Sequence, residues 1–127
     1  STSILVPAIQ LDSERLVLEM IKRGANINGD RFRILDNRPL FVPLAEVNSK
    51  RMAAVLIKAG AHVNELDLAE ATPLYRVQER INEVADLIKN DPENPTLIQL
   101  SHELPKIEQF LRKHGAISVS PPKESNQ

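Results

Sequence analysis

The sequence predicts an all-α fold, a helical-repeat solenoid with β-hairpin connectors and extended C-terminal helices. The first observation is the motif Lys-Arg-Gly-Ala-Asn-Ile-Asn at residues 22–28, which returns as Lys-Ala-Gly-Ala-His-Val-Asn at residues 58–64. The second is that an apolar run with helical spacing precedes each copy, and that a partial third copy ends another such run at residues 110–117. Glycine tolerates positive φ and commonly ends a helix, so three similar helix ends predict a repeated unit.

The repeat divides one domain at residues 1–117 into units at about residues 3–28, 38–64 and 71–117. The first two units match at an offset of 36 positions, a density of identities that chance rarely produces. Residues 118–127 have no apolar period, so they are predicted to form a disordered tail.

Each of the first two units is predicted to hold two short helices. Pro7 and Pro43 suit the first turn of a first helix, because proline has no N–H to pair there. Ser13 and Ser49 follow that helix and are expected to cap the second one, since serine oxygen accepts from free N–H groups at a helix start.

The third unit is longer than the others. Thr72 is expected to cap its first helix, with Pro73 as the first helical residue. A segment rich in turn residues ends this helix, and a second one restarts at Thr96 or Ser101. Pro105 within that second run indicates either a kink or the start of a separate helix.

Two connectors separate the units. In the first, residues 29–39, the turn residues Gly29 and Asn37 enclose the alternating run at residues 31–34, which predicts a projecting β-hairpin. The second, residues 65–71, is shorter and more acidic, and we expect a second hairpin there.

Composition excludes several kinds of chemistry. The 16 basic and 17 acidic side chains nearly balance, which argues against a nucleic-acid or anionic-membrane partner. The sequence has no cysteine, so disulfides and thiolate chemistry are excluded, and no histidine shows metal-ligand spacing. We therefore expect no enzymatic activity, metal or cofactor. No apolar run spans a bilayer and no signal-peptide pattern is present, which predicts a cytoplasmic protein.

The chain resembles ankyrin-repeat proteins over about residues 3–117. The resemblance depends on the Gly-Ala helix ends and on the opening Thr-Pro-Leu-Tyr at residues 72–75, beside a family repeat of about 33 residues. The first two units depart from that opening and carry Ser-Ile-Leu-Val at residues 3–6 and Pro-Leu-Phe-Val at residues 39–42. The lengthened third unit is interpreted as a modified C-terminal cap. Tetratricopeptide repeats are disfavoured because tryptophan is absent, and HEAT repeats because they lack the hairpin.

The resemblance implies a non-enzymatic, monomeric module that binds a partner protein through its hairpin tips and concave groove. The alternative is a domain that positions a substrate or partner within a larger multidomain enzyme or a secreted bacterial effector, in which case the host cytoplasm is expected. An independent hydrolase or transferase has no supporting motif.

The candidate partner-binding residues lie on the connectors and on first-helix positions that the resemblance places along the concave face. They are Arg31, Phe32, Arg33, Gln10, Glu46, Leu68, Glu79 and Arg80. The aromatic residue between two arginines is expected to protrude from the first hairpin, since Phe and Arg are enriched at interfaces. The apolar neighbours Leu11 and Val47 are either core or binding contacts, and we expect them in the core.

Overall fold

A computed structural model of the chain describes residues 5–32, 34 and 36–123. Its longer elements are the helices α1 (Leu5–Gln10), α2 (Glu14–Lys22), α3 (Lys50–Lys58), α4 (Pro73–Asn90) and α5 (Pro95–Lys113). A 3-10 turn covers Pro43–Glu46, and strands β1 (Arg31–Phe32) and β2 (Arg38–Pro39) pair in antiparallel register. The described chain is therefore mostly helical, in agreement with the all-α prediction, and the first connector is the predicted β-hairpin.

We call α1, the 3-10 turn and α4 the first row, and α2, α3 and α5 the second row. In the first row, α1 packs on the 3-10 turn, which packs on α4. In the second row, α3 packs on α5, while α2 and α5 pack on their first-row partners α1 and α4. Side chains from both rows fill one continuous apolar core, and its largest fully buried members include Ile9, Val17, Leu44, Met52, Leu56, Leu74, Leu104, Ile107 and Leu111.

Helices α2, α3 and α5 end in the same turn. A glycine with φ between 89° and 104° follows each helix, and the next alanine donates its N–H to the carbonyl five residues back at 2.9 Å. The three alanine–carbonyl pairs are Ala25–Met20, Ala61–Leu56 and Ala116–Leu111. The recurring Gly-Ala motif is thus a recurring helix stop, as predicted.

The helix starts follow the prediction at the two serines. Ser13 Oγ accepts from Leu16 N at 3.2 Å, and Ser49 Oγ accepts from Met52 N at 3.1 Å. Thr72 is the N-cap residue of α4 as predicted, but its hydroxyl makes no bond to that helix.

The Thr72 hydroxyl instead joins the start of the third unit to the segment after α5. It donates to the carbonyl of Ile117 at 2.7 Å and accepts from Val119 N at 2.9 Å. The main chain adds a bond from Thr72 N to Val119 O at 3.1 Å. Val119 lies in the predicted disordered tail, so ordered contacts continue past residue 117.

The structure at the start of the second unit corrects the alignment of residues 39–42 with residues 72–75. Val42 is an extended N-cap residue followed by Pro43 in the first turn and by the buried Leu44, which is the arrangement that begins α4 at Thr72. The match of residues 39–42 to residues 72–75 is therefore wrong. Two prolines four residues apart made the register ambiguous, and Pro39 belongs to β2 instead.

The structure also decides the course of the chain at Pro105 and corrects the prediction for the second connector. Helix α5 runs unbroken through Pro105 and begins at Pro95, with Asn94 Oδ1 accepting from the first free N–H groups at 2.9 and 3.1 Å. The second connector is a turn rather than a hairpin, closed by a bond from Asp67 N to Ala71 O at 3.0 Å.

Candidate partner-binding groove

A cavity of about 220 Å³ lies where the first hairpin and second connector meet the first row of helices. Leu40 and Phe41, which follow β2 directly, line it and keep 49% and 50% of their surface exposed. The other lining residues are Val42, Ala45, Glu46, Asp67 and Arg76. We call this set of residues the groove. It places an accessible aromatic and an aliphatic side chain directly beside charged groups.

Glu46 is the open acceptor of the groove. It ends the 3-10 turn and is half-buried, and its burial raises the pKa of the carboxyl while the charges of Arg80 and Arg76 oppose that rise. Among residues 5–32, 34 and 36–123 its side chain has no hydrogen-bond or ion-pair partner. A half-buried carboxylate without a bonded partner favours a ligand that brings a donor.

Asp67 and Arg76 also line the groove, but both already have hydrogen-bond partners within the chain. Asp67, with 6% of its surface exposed, accepts from the N–H groups of Ala69 and Ala71 at 3.0 Å and from Arg76 Nε at 2.8 Å. Arg76 also donates to Glu79 at 2.8 Å. The bond to Asp67 raises the pKa of Arg76 despite its partial burial, so the guanidinium stays charged and fixed.

Arg80, a predicted contact residue, is used within the chain. Its guanidinium donates to the carbonyls of Ala45 at 3.0 Å and Val47 at 2.7 Å, and to the side chain of Asn48. These carbonyls lie at the end of the 3-10 turn, where no helical partner continues. Burial lowers the pKa of Arg80, opposed by the charges of Glu46 and Glu83. Arg80 therefore stabilises the 3-10 turn that carries Glu46.

The hairpin residues differ from expectation. Arg31 is not free, because it donates to Glu65 Oε2 at 2.5 Å and to the carbonyl of Asn37 at 3.1 Å. Phe32 is half-buried, so the expectation that it protrudes is wrong. Among the described residues between β1 and β2, Ile34 is the exposed apolar one, with 92% of its surface accessible. Arg33 lies outside the described residues.

The remaining predicted residues, Gln10 and Leu68, do not line the groove. Gln10 is exposed at the end of α1, and its carbonyl accepts from Asn48 Nδ2 at 3.4 Å. Leu68 is half-buried and donates its N–H to the carbonyl of Pro39 at 2.9 Å. Val47 is buried as expected, but Leu11 is 72% exposed because α1 ends before it and Asp12 turns the chain at a φ of 57°. The core assignment of Leu11 is therefore wrong.

A second cavity of about 420 Å³, lined mainly by charged and polar residues, lies between the hairpin and the second connector. Glu65 is its central group, bound by Arg31 and, at 3.0 Å, by the ring Nδ1 of His62. Burial raises the pKa of Glu65, but the bonds and charges of Arg31 and His62 outweigh it, so the net shift is downward. Arg38 and Glu70 add an ion pair of 3.4 Å near its rim. Because these charged groups are paired with one another, the second cavity offers a ligand fewer free charged groups than the groove does.

Phe41, the aromatic residue that lines the groove, was not among the residues predicted from the sequence. Leu40 and Phe41 stand with Val42 between Pro39 and Pro43, and both lie after β2 and before the 3-10 turn, outside either element. That spacing was the available signal for Phe41.

Across the described ranges, no group of three His, Asp or Glu side chains is placed to hold a metal ion. No helix in that part of the chain has the length and apolarity needed to cross a membrane. A scan against protein-family models, a search of curated proteins and a search of solved structures each found no significant match.

Proposed function

We propose that the chain is a non-enzymatic protein–protein interaction module, built as a short ankyrin-type solenoid, that binds its partner in the groove. The observation that carries the proposal is the half-exposed Phe41 and Leu40 beside the unbonded carboxylate of Glu46. Accessible apolar anchors next to a few oriented polar groups are typical of binding surfaces.

The repeat architecture is supported by polar links between the segments that precede α2 and α3 and the first turns of these helices. Ser49 Oγ donates to Asp12 Oδ1 at 2.7 Å, and Arg51 donates to Asp12 and to Glu14 at 3.0 and 3.1 Å. Together with the two helical rows and three matching helix ends, these links favour stacked units over a single globular centre.

The chemistry of the groove favours a partner that presents a lysine or arginine next to an apolar side chain. The groove has two carboxylates, those of Glu46 and Asp67, and one guanidinium, that of Arg76. Beside it, Glu79 and Arg80 add one charge of each sign. Because Asp67 and Glu79 are already bound by Arg76, Glu46 is the group left to meet a partner cation. The apolar neighbour would pack on Phe41, and Leu40 extends that surface.

The experiment selects peptide ligands from a random displayed library on the purified chain. We expect enriched peptides to pair a basic residue with an aromatic or large aliphatic one. Affinities of the best peptide are then measured for Phe41→Ala and Glu46→Gln, each expected to weaken binding by tenfold or more. Leu87→Ala on α4 is the matched control, since Leu87 is also exposed and lies outside the groove.

Two outcomes contradict the proposal. Selection of no saturable ligand argues against an interaction module. A ligand that is insensitive to Phe41→Ala and Glu46→Gln but lost with Ile34→Ala places the site at the hairpin tip instead of the groove.

A further inference from the structure

A third cavity, of about 290 Å³, lies on the second row of helices, away from the groove. Its lining residues are Lys50, Lys106, Gln109, Phe110, Lys113 and His114. Five of these lie on α5 or at its C-cap with spacings of three and four, so they share one helix face, and Lys50 begins α3 opposite them. The cavity is therefore a cleft between two helices with three lysines around it.

An aromatic floor orients this cleft. The ring of Phe110 is half-buried and packs against the core. The Lys50 ammonium stands 5.8 Å from the ring centroid, and the His114 ring lies 4.4 Å from it, tilted by 51°. A cation at this distance is attracted to the ring face, which favours placement of the exposed Lys50 ammonium over the Phe110 ring.

The cleft carries an excess of positive charge. Glu103 is the carboxylate that contacts it, accepting from Lys50 N at 3.0 Å and pairing with the Lys106 ammonium at 3.5 Å. Within the described ranges, the ammonium groups of Lys50 and Lys113 have no carboxylate partner within 4 Å. One carboxylate against three ammonium groups leaves about two positive charges uncompensated, in a chain whose formal net charge is −1.

We propose that this cleft binds a phosphate monoester dianion carried by a phosphoserine or phosphothreonine of a partner peptide. Two uncompensated ammonium groups match the charge of the dianion, and its three oxygens accept strong charge-assisted bonds from lysine. Phe110 offers the apolar contact for the adjoining peptide. A membrane surface is disfavoured because the cleft is concave and none of the exposed large apolar side chains of the described chain lines it.

The test is a titration of the isotope-labelled protein followed by amide NMR shifts. The probes are a pentapeptide with a central phosphoserine, its unphosphorylated form, inorganic phosphate, and vesicles of phosphatidylcholine with phosphatidylserine. We expect saturable shifts confined to residues near Lys50 and the C-terminal half of α5, and preference for the phosphopeptide over the unphosphorylated form by at least tenfold.

The triple variant Lys50→Gln, Lys106→Gln and Lys113→Gln tests the assignment. It should abolish saturable phosphopeptide binding, while Lys22→Gln, Lys58→Gln and Lys89→Gln, which remove the same charge from exposed lysines outside the cleft, should leave it intact. Equal loss in both triple variants, binding only to vesicles, or no preference for the phosphopeptide over inorganic phosphate would each overturn the proposal. Circular dichroism confirms that every variant is folded before titration.

Discussion

The side-chain oxygen of Asn28 accepts a hydrogen bond from the main-chain N–H of His62 at 2.8 Å. Asn64 repeats the relationship one unit later and accepts from Ile117 N at 2.9 Å. In both cases the asparagine lies four residues after the glycine that ends one helix, and the donor lies two residues after the glycine that ends the next. The recurring motif thus joins each helix stop to the following one.

The first prediction concerns this link. Asn64→Ala removes the bond to Ile117 N and a second one, of 3.2 Å, that Asn64 Nδ2 donates to the carbonyl of Gly115. At about 0.5–1.5 kcal/mol for each bond, the free energy of unfolding should fall by about 1–3 kcal/mol. Denaturant unfolding measures it. Asn82→Ala, at an exposed position within α4, should cause little loss, and an equal loss there would argue against the link.

The second prediction separates backbone strain from steric clash at two glycines. Gly60 and Gly29 have nearly the same φ, 104° and 100°, so alanine is strained at both. A Cβ at Gly60 meets no atom within 4 Å, whereas a Cβ at Gly29 would lie 2.6 Å from Phe41 O and from Pro39 Cβ.

Gly60→Ala should therefore cost about 1–3 kcal/mol through strain alone. Gly29→Ala should cost more and should displace β2 together with the Phe41 segment. Thermal unfolding compares the two variants. Equal losses of stability would mean that Pro39 and Phe41 move away from the added Cβ without a measurable cost in free energy.

The third prediction assigns Arg80 to the scaffold. Arg80→Ala leaves the carbonyls of Ala45 and Val47 without their charged donor, so the free energy of unfolding should fall by about 2–4 kcal/mol. Arg23→Ala, which breaks an exposed ion pair with Glu19 within α2, should change stability by under about 0.5 kcal/mol. If Arg80→Ala leaves stability unchanged but weakens ligand binding, Arg80 contacts the partner and the assignment to the scaffold is wrong.

The fourth prediction concerns pH. The pKa of Glu65 is lower in the folded chain than its ordinary value of 4.5, so the folded state binds fewer protons in the acid range. Its contribution to stability is therefore fully present above that value and is lost as the pH falls through the lowered pKa.

Glu65→Gln should accordingly lower the free energy of unfolding by about 1 kcal/mol at pH 7, through loss of the charged acceptor for Arg31. The difference from the unsubstituted chain should shrink as the solution is acidified below pH 4.5. Unfolding curves measured from neutral to acid pH give both values. Glu93→Gln, at an exposed position, is the control, and a difference independent of pH would contradict the role of the charge.

The sequence by itself determined the local stops and starts of this chain. The Gly-Ala helix ends, the serine caps and the hairpin were all predicted, because each depends on bonds between residues at most a few positions apart. Glycine at positive φ and a serine oxygen over a free N–H are decided within one turn of chain.

The tertiary structure alone decided where the remaining polar and apolar side chains find partners. Arg80 meets carbonyls more than 30 positions away, and the Thr72 hydroxyl leaves its own helix for residues beyond α5. Phe32, which was expected to protrude, is half-buried, because packing of the hairpin on its neighbours, rather than alternation along it, sets burial. The physical reason is that a side chain takes the strongest partner that folding brings close, and a linear sequence contains no distances between remote residues.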